Sequence, residues 1–336
     1  MGLYRSLRPL VFAASPETAH RLATNVLGWP LPWSRIGGAV DDPSLRTSLA
    51  GIELRNPVGL AAGFDKTCRV LGALGSLGFG YVVGGTITSR PREGNPTPRI
   101  ARFPSRGAMV NSMGLPNPGP RAAAEALSGG SGTAPRFVSV ADEGLDEVLV
   151  SFALLEPHAD AIELNASCPN VSWGRDRDTE EHLRDLTSAL AERTDKPLIV
   201  KVPPFTPGRP AERDAIVALA GAAAEAGAAA LTCSNTRPVL DARQSVGRGG
   251  LSGRPLFDGT LEALEAVRGA TGLPVNACGG ITTAADALAC LEAGATTVQI
   301  YTALIYEGPR VLRDLTAGLA NELRGRRTTA AALAAA

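Results

Sequence analysis

The sequence predicts a (β/α)8 TIM barrel with a small N-terminal helical extension. Short apolar, β-type runs alternate with helical patterns eight times between residues 57 and 323. Alternation of this kind means a parallel sheet, and eight units mean a closed barrel. A chain of 336 residues is long enough for one such domain, since barrels routinely exceed the usual domain length. The carboxyl ends of the runs are rich in glycine, amide and hydroxyl residues, and that end of a barrel is where chemistry sits.

In chain order, residues 1–40 form the extension. Leu3, Leu7, Leu10 and Val11 recur at helical spacing, with Arg5 and Arg8 off that face. Ser15-Pro16-Glu17 is a helix start, with a capping hydroxyl, a proline at the first helical position and an acid in the first turn. Ala19, Leu22, Ala23, Val26 and Leu27 line one side of the helix that follows, before Trp29 and Trp33 in a proline-rich turn. Such a pair of helices either lies in a membrane interface or packs on the barrel as a cap. The barrel is expected over residues 41–323, with strands at 57–62, 81–88, 137–140, 159–165, 198–202, 229–233, 274–278 and 297–300. The helices expected after them cover 68–77, 121–127, 145–155, 180–193, 212–226, 261–267, 284–293 and 309–323. Two irregular excursions, 90–120 and 235–254, break the rhythm. The alanine-rich tail, 324–336, is expected to fray and to carry no chemistry.

Composition excludes several classes. Five scattered cysteines without a CxxC pair argue against a disulfide framework and a zinc site. Three separated histidines leave no triad or metal cluster, so no metal is expected. Zero net charge removes the electrostatic footprint of a nucleic-acid binder. No run is long enough to span a bilayer, and residues 10–14 are too short an apolar core for a signal peptide.

The rim of strand ends holds two lysines (66 and 201), a thiol (Cys168), glycines, hydroxyls and four asparagines (111, 165, 170 and 235). Gly279-Gly280 and Tyr301-Thr302 follow the seventh and eighth strands, where barrels bind phosphate. Lys201 ends an apolar strand and needs an anion to face. An electron-rich flavin supplies one, and a Schiff-base role in a flavin-free lyase is the alternative. Asparagines suit a flat, uncharged ring of alternating carbonyl and N–H groups. A thiol with a lowered pKa, such as Cys168, can take a proton from carbon. Of the other cysteines, 233, 278 and 290 read as packing residues, and Cys68, near Lys66, as the one with some reactivity.

Several stretches together resemble dihydroorotate dehydrogenases: Gly59-Leu60-Ala61-Ala62-Gly63-Phe64-Asp65-Lys66, Asn111-Ser112-Met113-Gly114-Leu115-Pro116-Asn117, Asn165-Ala166-Ser167-Cys168-Pro169-Asn170, Gly249-Gly250-Leu251-Ser252-Gly253-Arg254-Pro255-Leu256 and Val298-Gln299-Ile300-Tyr301-Thr302. The resemblance covers residues 1 to about 320. It implies an FMN-dependent oxidation of (S)-dihydroorotate to orotate in pyrimidine synthesis, with Cys168 as the base at C5 and hydride passing from C6 to flavin N5. It implies that Lys66, Asn111, Ser112, Met113, Gly114, Leu115, Asn165, Asn170, Asn235 and Thr236 hold substrate. It assigns FMN to Ala62, Gly63, Lys66, Thr86, Asn165, Lys201, Ser234, Gly253, Gly280, Tyr301 and Thr302. The extension and the segment 249–256 resemble the quinone-linked, membrane-associated branch. Cys168-Pro169-Asn170-Val171 and the segment 111–117 resemble the soluble branch, which uses fumarate or NAD. The implied acceptor is quinone, with fumarate or NAD, or another cyclic amide as substrate, as alternatives. The implied location is the cytoplasmic face of a membrane, held peripherally through residues 1–40.

Overall fold

The structure is a computed structural model and describes residues 3–130, 132–166 and 178–335. Helices α1 (Leu3–Ala13), α2 (Pro16–Leu27) and α3 (Trp33–Gly37) precede a hairpin of β1 (Thr47–Leu49) and β2 (Ile52–Leu54). Then come β3 (Val58–Leu60), α4 (Leu71–Leu77), β4 (Tyr81–Ile87), β5 (Ile100–Phe103), β6 (Ala108–Asn111), α5 (Pro120–Ser128), β7 (Arg136–Val140), α6 (Leu145–Leu155) and β8 (Ala161–Asn165). The chain continues with α7 (Asp178–Ala191), β9 (Leu198–Lys201), α8 (Pro210–Glu225), β10 (Ala230–Cys233), β11 (Arg237–Leu240), β12 (Arg248–Gly253) and α9 (Phe257–Thr271). It ends with β13 (Val275–Cys278), α10 (Ala284–Glu292), β14 (Thr297–Ile300), α11 (Thr302–Glu307), α12 (Val311–Gly325) and α13 (Ala330–Ala334).

Eight of these strands close a parallel barrel in the order β3-β4-β7-β8-β9-β10-β13-β14, at the positions that hydrophobic patterning predicts. Side chains alternate between the helix-facing and inward faces. Val58, Leu60, Val82, Val138, Ile162, Leu164, Val200, Leu231 and Val298 pack outward in the main core with the helices. Tyr81, Val83, Phe137, Ala161, Ile199 and Ala230 pack inward, closed at one end by Leu49 and Leu54 of the first hairpin. The inner bottom of the barrel is therefore a plugged apolar layer, and the carboxyl ends of the strands remain for a site.

Three regions depart from expectation. The two excursions are not irregular: β5, β6, β11 and β12 pair into one four-stranded antiparallel sheet, order β11-β12-β6-β5. Two local hairpins, β5–β6 and β11–β12, join through the β12–β6 pairing, whose partners lie over a hundred residues apart, as in the Leu251–Val110 register, and so escape pattern reading. The first barrel helix begins at Leu71 rather than 68, because the Asp65 carboxylate captures the N–H groups of Thr67 and Val70 in a turn. The tail does not fray: α13 packs with Ala330 fully buried and Leu333 against Leu45, Leu288, Leu291 and Leu319.

Candidate active site

The antiparallel sheet roofs one side of the barrel mouth, and α1 and α2 roof another. Tyr4 donates to Ile305 O at 2.6 Å and Arg8 to Tyr306 O at 2.9 Å, while Arg5 pairs with Glu307 at 2.6 Å. Phe12 sits edge-on to Tyr306, and the Arg102 guanidinium lies 4.4 Å over its ring. On α2, Glu17 pairs with Arg99 at 3.2 Å and His20 packs edge-on against Phe64 at 5.3 Å. The arginines of α1 thus fasten the helix to the barrel. The apolar residues they leave outward include Leu10 at 73% exposed, Leu22 at 60% and Trp29 at 59%.

Between helices, roof and strand ends lies one cavity of about 1000 Å3. Ala62, Gly63, Lys66, Thr86, Asn111, Ser112, Met113, Gly114, Leu115, Asn165, Lys201, Asn235, Thr236, Gly253, Gly280, Tyr301 and Thr302, all singled out from sequence, line it together. Ser234 does not: it is buried, and its N–H is spent on Cys278 O at 2.9 Å. Cys168 and Asn170 lie outside the described residues.

The floor of the cavity is polar and tightly tied. Asn165 donates to Thr86 Oγ1 at 3.0 Å, and Thr86 shares a 3.0 Å bond with Ser139. Asn95 donates to Ser112 O at 2.8 Å, and Ser112 donates to Gln244 at 2.9 Å, which fixes the 111–115 loop against the sheet. Lys66 bonds Gly63 O, and burial together with Arg99 lowers its pKa to about 8. Lys201 is only 4% exposed and lines the cavity.

Two glycines show what the floor is shaped for. Gly280 (φ +75°) and Gly253 (φ +91°) adopt backbone angles that side chains disfavour. A Cβ on either would run into backbone, at Phe257 for Gly280 and at Gly107 for Gly253. Gly280 follows the seventh barrel strand, where bare backbone is the usual barrel phosphate cradle, and Gly253 ends β12, in the excursion after the sixth. A buried amine beside the cradle, that of Lys201, fits an anionic cofactor edge, so the residues present fit a phosphorylated flavin.

The upper part of the cavity is apolar. Leu7, Val11, Ala19, Leu22, Ala23 and Val26 of the two helices face Ile305 and Leu304. Tyr4, His20 and Arg102 are among the polar residues there. Burial, then Lys66, pulls the His20 pKa down to about 4, so the imidazole is neutral at ordinary pH.

Some cavity residues escape sequence reasoning. Cys278, read as packing, lines the floor, and Cys68, read as possibly reactive, is buried with its thiol pKa pushed up by desolvation. Gln299 also lines the floor. The signal for Gln299 was a polar residue inside an apolar barrel strand, which alternation aims inward. Glu163, in Ile162-Glu163-Leu164, carries the same signal and is 1% exposed. His20 and Arg102 reach the cavity only through tertiary docking, and no local pattern marks them.

A closed parallel barrel with a polar floor at its strand ends defines a (β/α)8-barrel enzyme, its chemistry confined to that mouth. The description of one protein family, Dihydroorotate dehydrogenase, matches residues 44–323. A protein of Erythrobacter litoralis named "Dihydroorotate dehydrogenase (quinone)" is 39% identical, covering 96% of each chain. One of the same name from Sphingopyxis alaskensis is 40% identical, covering 94% of this chain and 91% of its own. A solved structure, titled as DHODH from Eimeria tenella in complex with ferulenol, superposes with a TM-score of 0.81 at 27% identity, covering 96% of this chain and 94% of its own. The chain belongs to the dihydroorotate dehydrogenase family.

Proposed function

We propose that this chain is an FMN-dependent dihydroorotate dehydrogenase that passes its electrons to a quinone. The observation that carries the reading is the single cavity, which joins a polar floor with a glycine cradle to an apolar vestibule under α1 and α2. Ala62, Gly63, Thr86, Asn165, Lys201, Gly253, Gly280, Tyr301 and Thr302 would hold FMN, with Ser234 standing behind that wall. When bound, FMN supplies a two-electron acceptor for hydride from substrate C6. Cys168 takes the proton from C5. The Lys66 ammonium pairs with the substrate carboxylate, and Asn111, Asn165, Asn170, Asn235 and Thr236 match the alternating carbonyl and N–H groups of the ring. Ser112, Met113, Gly114 and Leu115 close the loop over it.

The vestibule suits a hydrophobic acceptor. Leu7 and Leu22 are part exposed and part cavity wall, so the helices border both the outside and the interior. With Leu10 and Trp29 outward, this face fits peripheral contact with the cytoplasmic side of a bilayer. Among the described residues no helix is long and apolar enough to cross one. Spectra of the purified protein test the reading. FMN absorbance that bleaches anaerobically on adding dihydroorotate supports it. Colourless folded protein, or FMN that stays oxidised with this substrate, contradicts it.

A further inference from the structure

Glu163 is a charged residue with no role in the reading above. It points inward on β8, two residues below Asn165, so both share the inner face. Asn165 pairs in register with Lys201 on β9, and Lys201 pairs with Thr232 on β10. Thr232 donates to Glu163 Oε2 at 3.1 Å. From there a polar layer crosses the barrel. Asn276 donates to Thr232 at 3.2 Å, Thr297 donates to Asn276, and Tyr81 shares a 3.0 Å bond with Thr297. The layer leaves Glu163 Oε1 and both polar atoms of Gln299 with no bond among the described residues. A glutamine would satisfy Thr232 as well as a glutamate does. A carboxylate that is 1% exposed is costly unless a cation opposes it. Among the described residues the cation on that inner face is Lys201, 4% exposed and one strand over from Glu163. The titratable groups around the pair are Cys278 and Tyr81. Burial alone would push Lys201 down, but Cys278 and Glu163 hold its pKa above the ordinary lysine value.

We propose that Glu163 is a positioning residue for the redox reaction, whose carboxylate keeps Lys201 an ammonium ion whatever the oxidation state of the cofactor above it. Lys201 then presents a fixed charge to the cofactor's electron-rich edge, and reduction does not have to bring a proton to the amine. Without Glu163, the buried amine is neutral over oxidised cofactor and takes up a proton when negative charge arrives.

This rests on the flavin reading, and potentiometry of the FMN-loaded protein separates the two. Wild type and Glu163→Gln are compared from neutral to mildly alkaline pH. The expected result is that Glu163→Gln takes up one further proton per cofactor reduced, seen as a steeper fall of midpoint potential with pH and a lower midpoint at the alkaline end. Adding Lys201→Arg, a permanent cation, restores the wild-type slope. Thr232→Val, which removes a hydrogen bond but no charge, leaves the slope unchanged. An unchanged slope in Glu163→Gln, or a midpoint that rises, overturns the proposal, because Glu163 is then structural or merely an opposing charge. If Glu163→Gln loses FMN, Glu163→Asp carries the test: it must keep FMN and the wild-type slope, and a changed slope overturns the proposal. A wild-type protein that takes up no FMN overturns both readings.

Discussion

The floor and the vestibule of the cavity are built by different physics. The floor comes from register: parallel strands of fixed spacing bring Asn165, Lys201 and Thr232 abreast, and any sequence with that register has those side chains together. The vestibule comes from docking. Its walls are held by long-range ties such as Arg5 to Glu307 and Arg102 over Phe12, and surface ion pairs of this kind are each worth little. The floor is therefore rigid and chemically specific, whereas the vestibule is a cover whose removal should spare what lies beneath it. On the proposed function, reduction by substrate would belong to the first region and reoxidation to the second.

The largest expected effect falls on reduction by substrate alone. Cys168→Ala should slow flavin reduction by dihydroorotate by roughly 10²–10⁴, the usual worth of a positioned base, with FMN retained and quinone reoxidation of chemically reduced protein unchanged. Rapid-mixing traces of the two half-reactions check this, and an unchanged reductive rate removes Cys168 from the chemistry.

Gly280→Ala tests the cradle. Left-handed backbone at a residue with a Cβ costs about 1–3 kcal/mol, and here the new methyl also meets Phe257 backbone. FMN occupancy after purification and melting temperature should both fall. Full occupancy would mean that the glycine is only a turn.

Lys66 gives the floor a pH signature. With its pKa lowered to about 8, the amine is charged below that pH and, in the proposed role, would pair with the substrate carboxylate. As pH rises through about 8 the pair is lost, and KM for dihydroorotate should climb. Lys66→Met should remove that rise and weaken substrate at neutral pH by about 1.5–3 kcal/mol, the range for a hydrogen bond to a charged group. A KM that still climbs in the variant assigns the titration elsewhere. The same shift makes a stability statement: folding is disfavoured by the buried ammonium at neutral pH, and this cost is relieved between about 8 and the ordinary lysine value.

The smallest effect belongs to the vestibule. Arg102→Ala removes the cation over Phe12 and the bonds to Phe12 O and Ala14 O. A loss of about 1 kcal/mol should appear as faster proteolysis near the α1–α2 junction, with substrate reduction of the flavin unaffected. Equal cleavage in both proteins would show that the helices are held elsewhere.

The same division explains what could be read from the residues. All eight barrel strands follow from apolar runs, and strand-end counting leads to Lys66, Asn165, Lys201 and Gly280, because both depend on local period and topology. The sheet of β5, β6, β11 and β12 was not legible, since its strands are short and its two hairpins join through a β12–β6 pairing that spans more than a hundred residues. Cys278 was misread because a small apolar-like residue in a strand does not reveal which face it takes until the register is known. His20 and Arg102 sit in helix and sheet positions that look ordinary until the extension docks. Glu163 was legible as an anomaly, a charge in a buried strand, but its place on the same inner face as Lys201 appears only when β8 and β9 stand side by side.

The division itself is tested most directly by removing residues 1–30 and following both half-reactions under anaerobic conditions. Dihydroorotate is expected still to bleach the flavin at close to the full-length rate, while reoxidation by a membrane quinone is lost. Quinone reoxidation at the full-length rate in the shortened protein would contradict it and reduce α1 and α2 to a cap.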